Sequence, residues 1–548
     1  MILQIKNLKT HFFTRYNLVK AVDDISLEIP TGEIHGIAGE SGSGKSVMGL
    51  SIINLLQEPG KIVGGKIHFN GKEITKLNEK EMKSIRGREI SMIFQDATVS
   101  LNPIINIETQ MTEAILAHKK IDYKNARKIA VQALTEVGIK DAEIKIKYYP
   151  HEFSGGMRQR VAIAIALINK PKLIIADEPT TALDVTTQAQ ILYLTQKLCK
   201  ENKTALIWIT HDLSVLSGLV DKISVMYNGK IVETGAVDNI LDHPQHPYTK
   251  KLINSVPKDN VNEERVINDN VIKVQNLSKI YEKRKNLVSN FFSLFKQNNN
   301  NSDTNQAIKN LSLNIRRGEI LGVVGESGCG KSTLGKIISG ILEKNSGNIY
   351  YNHEEISYTK KTSLDIQMVF QDPYSSLNPR KKIIDIIAEA PIVHNIIKKQ
   401  QTKEYVAKLM NDCGISPNLM FRYPHQFSGG QRQRIAIARS LAVNPSVLIC
   451  DEIVSALDVS IQAQILNLIL KLNKQNNLTI VFISHDLSVV NYVSNRVAVM
   501  YFGEIVELGN SKKVFSKPTH SYTKALLSNL PNIKERNINY KSTLYTEN

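Results

Sequence analysis

Apolar residues fall along this chain in short bursts. KLIIAD (172–177) and TALIWIT (204–210) are β-branched runs of strand length, and helix-like segments such as VTTQAQILYLTQKL (185–198) alternate with them. That alternation predicts a mainly parallel sheet with helices on both faces, because consecutive parallel strands need a long crossover and a helix fills it. MILQIKNLKTHFF (1–13) alternates as a half-buried strand does, so an antiparallel edge of early strands is expected. The same stretch lacks the basic-then-apolar order of a signal peptide, and no apolar run approaches the length that crosses a bilayer. Any membrane role is therefore expected to act through partners.

The bursts recur as a long internal repeat, which governs the architecture. GEIHGIAGESGSGKS (32–46) returns as GEILGVVGESGCGKS (318–332), IFQD (93–96) as VFQD (369–372), and SLNP (100–103) as SLNP (376–379). FSGGMRQR (153–160), LIIADEP (173–179), TALD (181–184) and ITHDLSV (209–215) return as FSGGQRQR (427–434), LICDEI (448–453), SALD (455–458) and ISHDLSV (483–489). Even HPQHPYTKKLINSVP (243–257) is echoed by KPTHSYTKALLSNLP (517–531). Ser154 to Asp177 and Ser428 to Asp451 each span 23 residues, so the register holds. The expected fold is thus α/β in two tandem domains, 1–257 and 271–531, with a polar linker at 258–270 and a polar extension at 532–548. KQNNNNSDTNQ (296–306) reads as a solvated loop interrupting the first hairpin of the second copy.

Composition narrows this little. With 42% hydrophobic and 22% charged residues, the chain is neither disordered nor collagen-like. The formal charge of +17 could mark nucleic acid, an anionic membrane or phosphate substrates. Lysine is abundant throughout, however, and a general bias on solvated faces explains the charge more simply. Cys199, Cys329, Cys413 and Cys450 stand far apart, with no CxxC and no histidine at metal-ligand spacing; this argues against zinc and suits a reducing compartment.

The glycine phrases carry the chemistry. Gly39, Gly44, Lys45 and Ser46, and Gly325, Gly330, Lys331 and Ser332, satisfy G-x-x-x-x-G-K-[ST]. Such a loop turns successive N–H groups onto phosphate oxygens at the positive end of a helix, its lysine reaches the β and γ phosphates, and its serine binds Mg²⁺. Ser41, Gly42, Ser327 and Gly328, inside the loops, are placed with the phosphates as well. Four apolar residues before an acidic pair set Asp177 and Asp451 at the end of a buried strand within reach of Mg²⁺. The adjacent Glu178 and Glu452 are then suited to polarise an attacking water.

With FSGG twice over, the chain resembles the ATP-binding cassette family. The resemblance implies a helical subdomain in each domain and head-to-tail pairing, with the turn Ser154, Gly155, Gly156 or Ser428, Gly429, Gly430 of one copy facing the glycine loop of the other across ATP. It implies that Gln95 and Gln371 sense Mg²⁺, that His211 and His485 contact the γ-phosphate, and that Asp184 and Asp458 lie in loops between the copies. Tyr281 fits the family position that stacks on adenine; Phe12 is its counterpart, with Phe13 or Tyr16 as substitutes. Arg158, Arg160, Arg432 and Arg434 read as structural. Ile453 stands where the first copy has Pro179, and Cys329 replaces Ser43; neither removes a reacting group, so both sites are expected to hydrolyse ATP.

The tails narrow the resemblance to dipeptide, oligopeptide and nickel importers, in a fused single-chain form similar to those for oligopeptides, glutathione or microcin C. Residues 235–270 hold no cysteine, so the iron–sulfur cluster found after this tail in some separate subunits is not expected. The implied partners are two integral-membrane permease subunits and an extracytoplasmic solute-binding protein. The implied location is the cytoplasmic face of the cell membrane, with the solute never touching this chain and no nucleic acid expected. The competing class is a soluble tandem ATPase acting on ribosomes or nucleic acid; the short, partly acidic linker and the absence of zinc-type cysteines oppose it. An exporter ATPase would lack the tail.

Overall fold

The structure, a computed structural model, describes residues 1–255, 269–282 and 304–530, apart from residues 16, 96–99, 182, 357–359 and 456. The expected linker lies outside the described residues up to 268, as do the Asn-rich tract up to 303, the C-terminal extension and Tyr16. Two units emerge, the first made mainly of residues up to 255 and the second mainly of residues from 269 onward.

In the first unit, a six-stranded sheet runs in the order Lys230–Ala236, Lys222–Tyr227, Ile34–Ala38, Ala205–Thr210, Leu173–Asp177, Ile90–Ile93. All neighbours are parallel except the first pair. The second unit repeats the order with Glu504–Asn510, Arg496–Tyr501, Ile320–Val324, Thr479–Ile483, Val447–Asp451 and Ile366–Val369. The parallel α/β expectation holds in both.

These strands are apolar on both faces because both faces are covered. In Leu173–Asp177, Leu173 and Ile175 pack into one core with Leu3, Ile5, Met48 and Ile52, while Ile174 and Ala176 pack into another with Met111, Leu134 and Val161. Period-two alternation thus feeds two cores from one strand.

The early strands depart from expectation. They form a separate four-stranded antiparallel sheet, Leu18–Ile29, Leu3–Phe13, Gly60–Phe69, Lys72–Glu73, and the antiparallel edge of the parallel sheet comes instead from the late strand Lys230–Ala236. The reason lies in their pattern: one face is polar, so they suit a sheet with one wet side. Their alternation breaks at Asn7, at φ 50° between the buried Ile5 and Leu8 where the pairing shifts register; Asn276, at φ 49°, does the same between Val274 and Leu277. Asn270–Glu282 pairs with Thr304–Arg316 as the hairpin that the Asn-rich tract was expected to interrupt.

A helical subdomain completes each unit, built around Ile107–Leu116, Tyr123–Glu136 and Gly155–Leu167 in the first, and Ile383–Val393, Thr402–Asp412 and Gly429–Leu441 in the second. Among the described residues no helix is long and apolar enough to cross a membrane.

Candidate functional site

Four neighbouring parallel strands deliver the predicted residues of the first unit to one end of their sheet. Ile34–Ala38 runs into the glycine loop, Leu173–Asp177 ends on the aspartate, Ala205–Thr210 stops just before His211, and Ile90–Ile93 just before Gln95. In the second unit Ile320–Val324, Val447–Asp451, Thr479–Ile483 and Ile366–Val369 do the same for the loop, Asp451, His485 and Gln371. The carboxyl end of a parallel sheet is where α/β folds bind ligands.

Each loop hands over to a helix, Lys45–Ile52 or Lys331–Ile338. Gly44 and Gly330 cap these helices at φ 100° and 106°, and a Cβ at either would strike the carbonyl oxygen of Ala21 or Ala307. Only glycine fits there. Ser41, Gly42, Ser327 and Gly328 are exposed at the outer turn of the loops, open to an incoming anion.

Lys45 and Lys331 are each only 4% exposed. Lys45 Nζ donates to the carbonyls of Gly39 (2.7 Å) and Glu40 (2.9 Å), and Lys331 Nζ to those of Gly325 and Glu326 (both 2.8 Å). Burial holds the Lys45 ammonium below the usual lysine range, opposed by the nearby Glu178 and Asp177 carboxylates.

Ser46 Oγ donates to Asp177 Oδ1 at 3.0 Å and Ser332 Oγ to Asp451 Oδ1 at 2.8 Å. Burial pushes Asp177 up to about 6, and it pushes Asp451 in the same direction, in both cases against the pull of the serine hydroxyl. A buried carboxylate this reluctant to ionise is primed to accept a cation. Among the described residues no three His, Cys, Asp or Glu side chains gather as a metal site. The donors on offer beneath each loop are therefore a hydroxyl and a carboxylate, hard oxygens that suit Mg²⁺ with phosphate or water filling the rest of its shell.

Glu178 and Glu452 sit at φ 44° and 48°, a left-handed conformation that costs a non-glycine residue roughly 1–2 kcal/mol. Their N–H groups donate to Ile209 O and Ile483 O, both at 2.9 Å, which holds the turn. Such local strain is characteristic of functional turns. His211 Nδ1 lies 3.0 Å from Glu178 Oε1 and His485 Nδ1 3.4 Å from Glu452 Oε2. Burial pushes each glutamate up and each histidine down, but their mutual contact overrides it, so the glutamates fall below and the histidines rise above their ordinary values. Gln95 Nε2 donates to Glu178 Oε2 at 3.0 Å and Gln371 Nε2 to Glu452 Oε2 at 2.7 Å. Histidine and glutamine thus converge on the glutamate. Sequence reasoning overlooked Thr181, whose Oγ1 donates to Glu178 Oε2 at 3.1 Å; the signal was the hydroxyl heading TALD.

Ser154 and Ser428 cap the helices Gly155–Leu167 and Gly429–Leu441, accepting from Met157 N (3.4 Å) and Gln431 N (3.3 Å). Gly156 and Gly430 lack a Cβ where Thr187 and Ile461 close in. Among the described residues neither serine hydrogen-bonds to the glycine loop of its own unit. Asp184 caps the helix Val185–Asn202, accepting from Thr187. Arg160 and Arg434 tie their helices to the carbonyls of Val137 (2.7 Å) and Cys413 (3.0 Å), a structural use. Phe12 lies against Gly60, whereas Tyr281 is 40% exposed with Lys279 Nζ 5.6 Å from its ring centre. Ile453 is buried, and the turn it sits in keeps the hydrogen bond of its Pro179 counterpart, with Thr181 N–Glu178 O and Ser455 N–Glu452 O both at 3.2 Å.

Comparison with known proteins agrees with this architecture. The family model "ABC transporter" matches residues 22–181 and 308–455, and "Oligopeptide/dipeptide transporter, C-terminal region" matches 232–286 and 506–546. The chain is similar to the glutathione import ATP-binding protein GsiA of Pectobacterium atrosepticum, 40% identical with 97% of this chain and 89% of the relative covered. It is equally similar to the GsiA of Escherichia coli strain K12, 40% identical over the same shares. A solved dimeric ATP-binding cassette bound to ADP and Pi is 28% identical, covers 43% of this chain and 99% of its own, and has a TM-score of 0.40. With a family model matched in each repeat and such relatives along nearly its whole length, the chain belongs to the ABC transporter family.

Proposed function

We propose that this protein is the tandem ATP-hydrolysing subunit of an importer for peptides or peptide-like solutes such as glutathione. The observation that carries the hydrolytic reading is the gathering, in each unit, of a buried lysine, a serine–aspartate pair and a histidine-held glutamate at one end of the parallel sheet. Gly39, Ser41, Gly42, Gly44 and Lys45, with Gly325, Ser327, Gly328, Gly330 and Lys331, cradle the phosphates. Mg²⁺ would be held by Ser46, Asp177 and Gln95, and by Ser332, Asp451 and Gln371; when bound it neutralises charge developing on the β and γ phosphates. Glu178 and Glu452 take a proton from water as its oxygen bonds to the γ-phosphorus and the bond to ADP breaks, leaving ADP and phosphate. His211 and His485 orient the glutamates, and Phe12 and Tyr281 stack on adenine.

The turns Ser154–Gly156 and Ser428–Gly430 cap the nucleotide of the opposite unit. The occurrence of each motif twice supports that pairing. Helix N-termini are ready anion sites, so ATP would hold the halves together and hydrolysis release them.

The oligopeptide-type tail after each cassette and the glutathione-importing relatives support the transport reading over a ribosomal or nucleic-acid ATPase. The partners would be two integral-membrane permease subunits at the cytoplasmic face and an extracytoplasmic solute-binding protein. The cargo would not contact this chain, and its domains would divide at the linker 258–270. The test is glutathione and short-peptide uptake in cells carrying the transporter, with membrane association of the chain measured alongside. Uptake that survives Lys45→Ala with Lys331→Ala, or a chain that sediments with ribosomes and not membranes, would overturn the reading.

A further inference from the structure

The tail of each unit reaches back to its own glycine loop. Glu40 N donates to Tyr248 Oη at 2.9 Å, and Glu326 N to Tyr522 Oη at 3.1 Å. Both tyrosines are buried, at 6% and 2% exposed. Each packs against a second tyrosine, Tyr227 stacked and Tyr501 tilted, with ring centres 4.2 Å apart. Those supporting rings end strands that pair with Ile34–Ala38 and Ile320–Val324, the strands that enter the loops.

The tails are clamped before they arrive. Glu233, on the edge strand, accepts from Gln245 N (2.7 Å) and His246 N (3.1 Å), and His246 Nδ1 accepts from Tyr248 N at 3.2 Å. Glu507 accepts from Thr519 N (2.9 Å) and His520 N (3.1 Å), and His520 Nδ1 from Tyr522 N at 3.2 Å. The same device, built twice from HPYT and HSYT, aims one phenol at the second residue of each loop.

We propose that Tyr248 and Tyr522 are positioning residues for nucleotide binding, making each tail a structural part of its phosphate loop. Glu40 is held at both ends of its backbone: its N–H by Tyr248 and its carbonyl by Lys45 Nζ. Two of the three ammonium N–H groups go to the carbonyls of Gly39 and Glu40, which leaves the third for phosphate, and the phenol keeps the loop in its receptive shape. A preformed cradle spares the cost of ordering the loop on binding. The inference rests on the reading of these loops as the ATP sites.

The test uses the full chain with Tyr248→Phe and Tyr522→Phe, together and singly, beside Lys45→Ala with Lys331→Ala. Phenylalanine keeps the ring contact and removes only the hydroxyl. One lost hydrogen bond per site should raise the KM for ATP about three- to tenfold in the double variant, with kcat kept and the thermal midpoint without nucleotide lowered by only a few degrees. A tyrosine serving only as packing would leave KM alone. If the lysine variants lose ATP and the phenylalanine variants shift KM less than threefold, the inference fails by itself. If the lysine variants still bind ATP, the site reading falls and the inference with it.

Discussion

Glu178 accepts hydrogen bonds from Gln95 and Thr181 and lies 3.0 Å from His211, whereas Glu452 has Gln371 at 2.7 Å and a more distant His485 at 3.4 Å. Ser455, standing where Thr181 stands, turns its hydroxyl away to the backbone oxygen of Glu452 at 2.9 Å. The physical difference is one methyl group. A branched Cβ stiffens threonine about χ1, while serine rotates to whichever acceptor is nearer. The motifs decide which groups meet, and the neighbour decides how firmly the reacting carboxylate is aimed. The first glutamate accepts one side-chain hydrogen bond, from Thr181, that the second lacks an equivalent of among the described residues.

The largest effect tests whether these carboxylates react at all. Glu178→Gln with Glu452→Gln should bind ATP as before and lower turnover by about 10²–10⁴-fold, the usual worth of a general base; undiminished phosphate release would break both assignments. Single variants sharpen the comparison, since Glu178→Gln should cost more turnover than Glu452→Gln if the better-held glutamate carries more of the flux. Next in size, Thr181→Ala should lower kcat about three- to tenfold by removing one hydrogen bond to a charged group, while Ser455→Ala should change it less than twofold. Equal losses in steady-state ATPase assays would mean that the hydroxyl contacts do not distinguish the sites.

Smaller still is an acid effect that the two units should share. Burial pushes Glu233 and Glu507 up, but the hydrogen-bond donors facing them, threonine hydroxyls and backbone N–H groups, pull harder, so both lie below the ordinary glutamate value. A depressed carboxylate adds stability that is fully present above its unfolded value, about 4.3, and is lost as pH falls through the folded one. The parent should therefore lose thermal stability between pH 5 and 3 more steeply than Glu233→Gln with Glu507→Gln, by roughly 2 °C in midpoint. A parallel fall in parent and variant would show that neither clamp is linked to protonation.

The repeat made most of this legible in advance. Lys45, Asp177, Glu178 and His211 could be named from the chain because strand, loop and reacting residue are contiguous in sequence, and one sheet edge collects them whatever the rest does. Long-range pairings were not legible. GEIHGIAGE says nothing of a tyrosine more than two hundred residues later, and NLKTHFF gives no sign that the early strands form their own sheet instead of edging the parallel one. Asn7 and Asn276 broke the strand pattern where the chain bulges, a choice set by the partner strands. The contact of His211 and Gln95 with Glu178 was hidden for the same reason: motif order fixes the sheet position of a side chain, and its rotamer is settled by neighbours from three strands.

The smallest expected effect bears on the loops themselves. Ser43 Oγ is 3.5 Å from Lys45 Nζ and Cys329 Sγ is 3.9 Å from Lys331 Nζ, both too long to hold an ammonium that already has two carbonyl acceptors. Burial lifts the Cys329 thiol above its usual range, with Lys331 opposing, and the side chain is only 6% exposed. It is then a small buried filler with little thiolate to react. Exchanging the residues, Ser43→Cys and Cys329→Ser, should move the KM for ATP less than twofold at either site, and alkylation of native Cys329 near pH 7 should be slow compared with an exposed thiol. A larger shift in KM would relocate the asymmetry to the phosphate loops; a shift within that limit leaves it at the glutamates, where a threonine faces one carboxylate and a serine turns from the other.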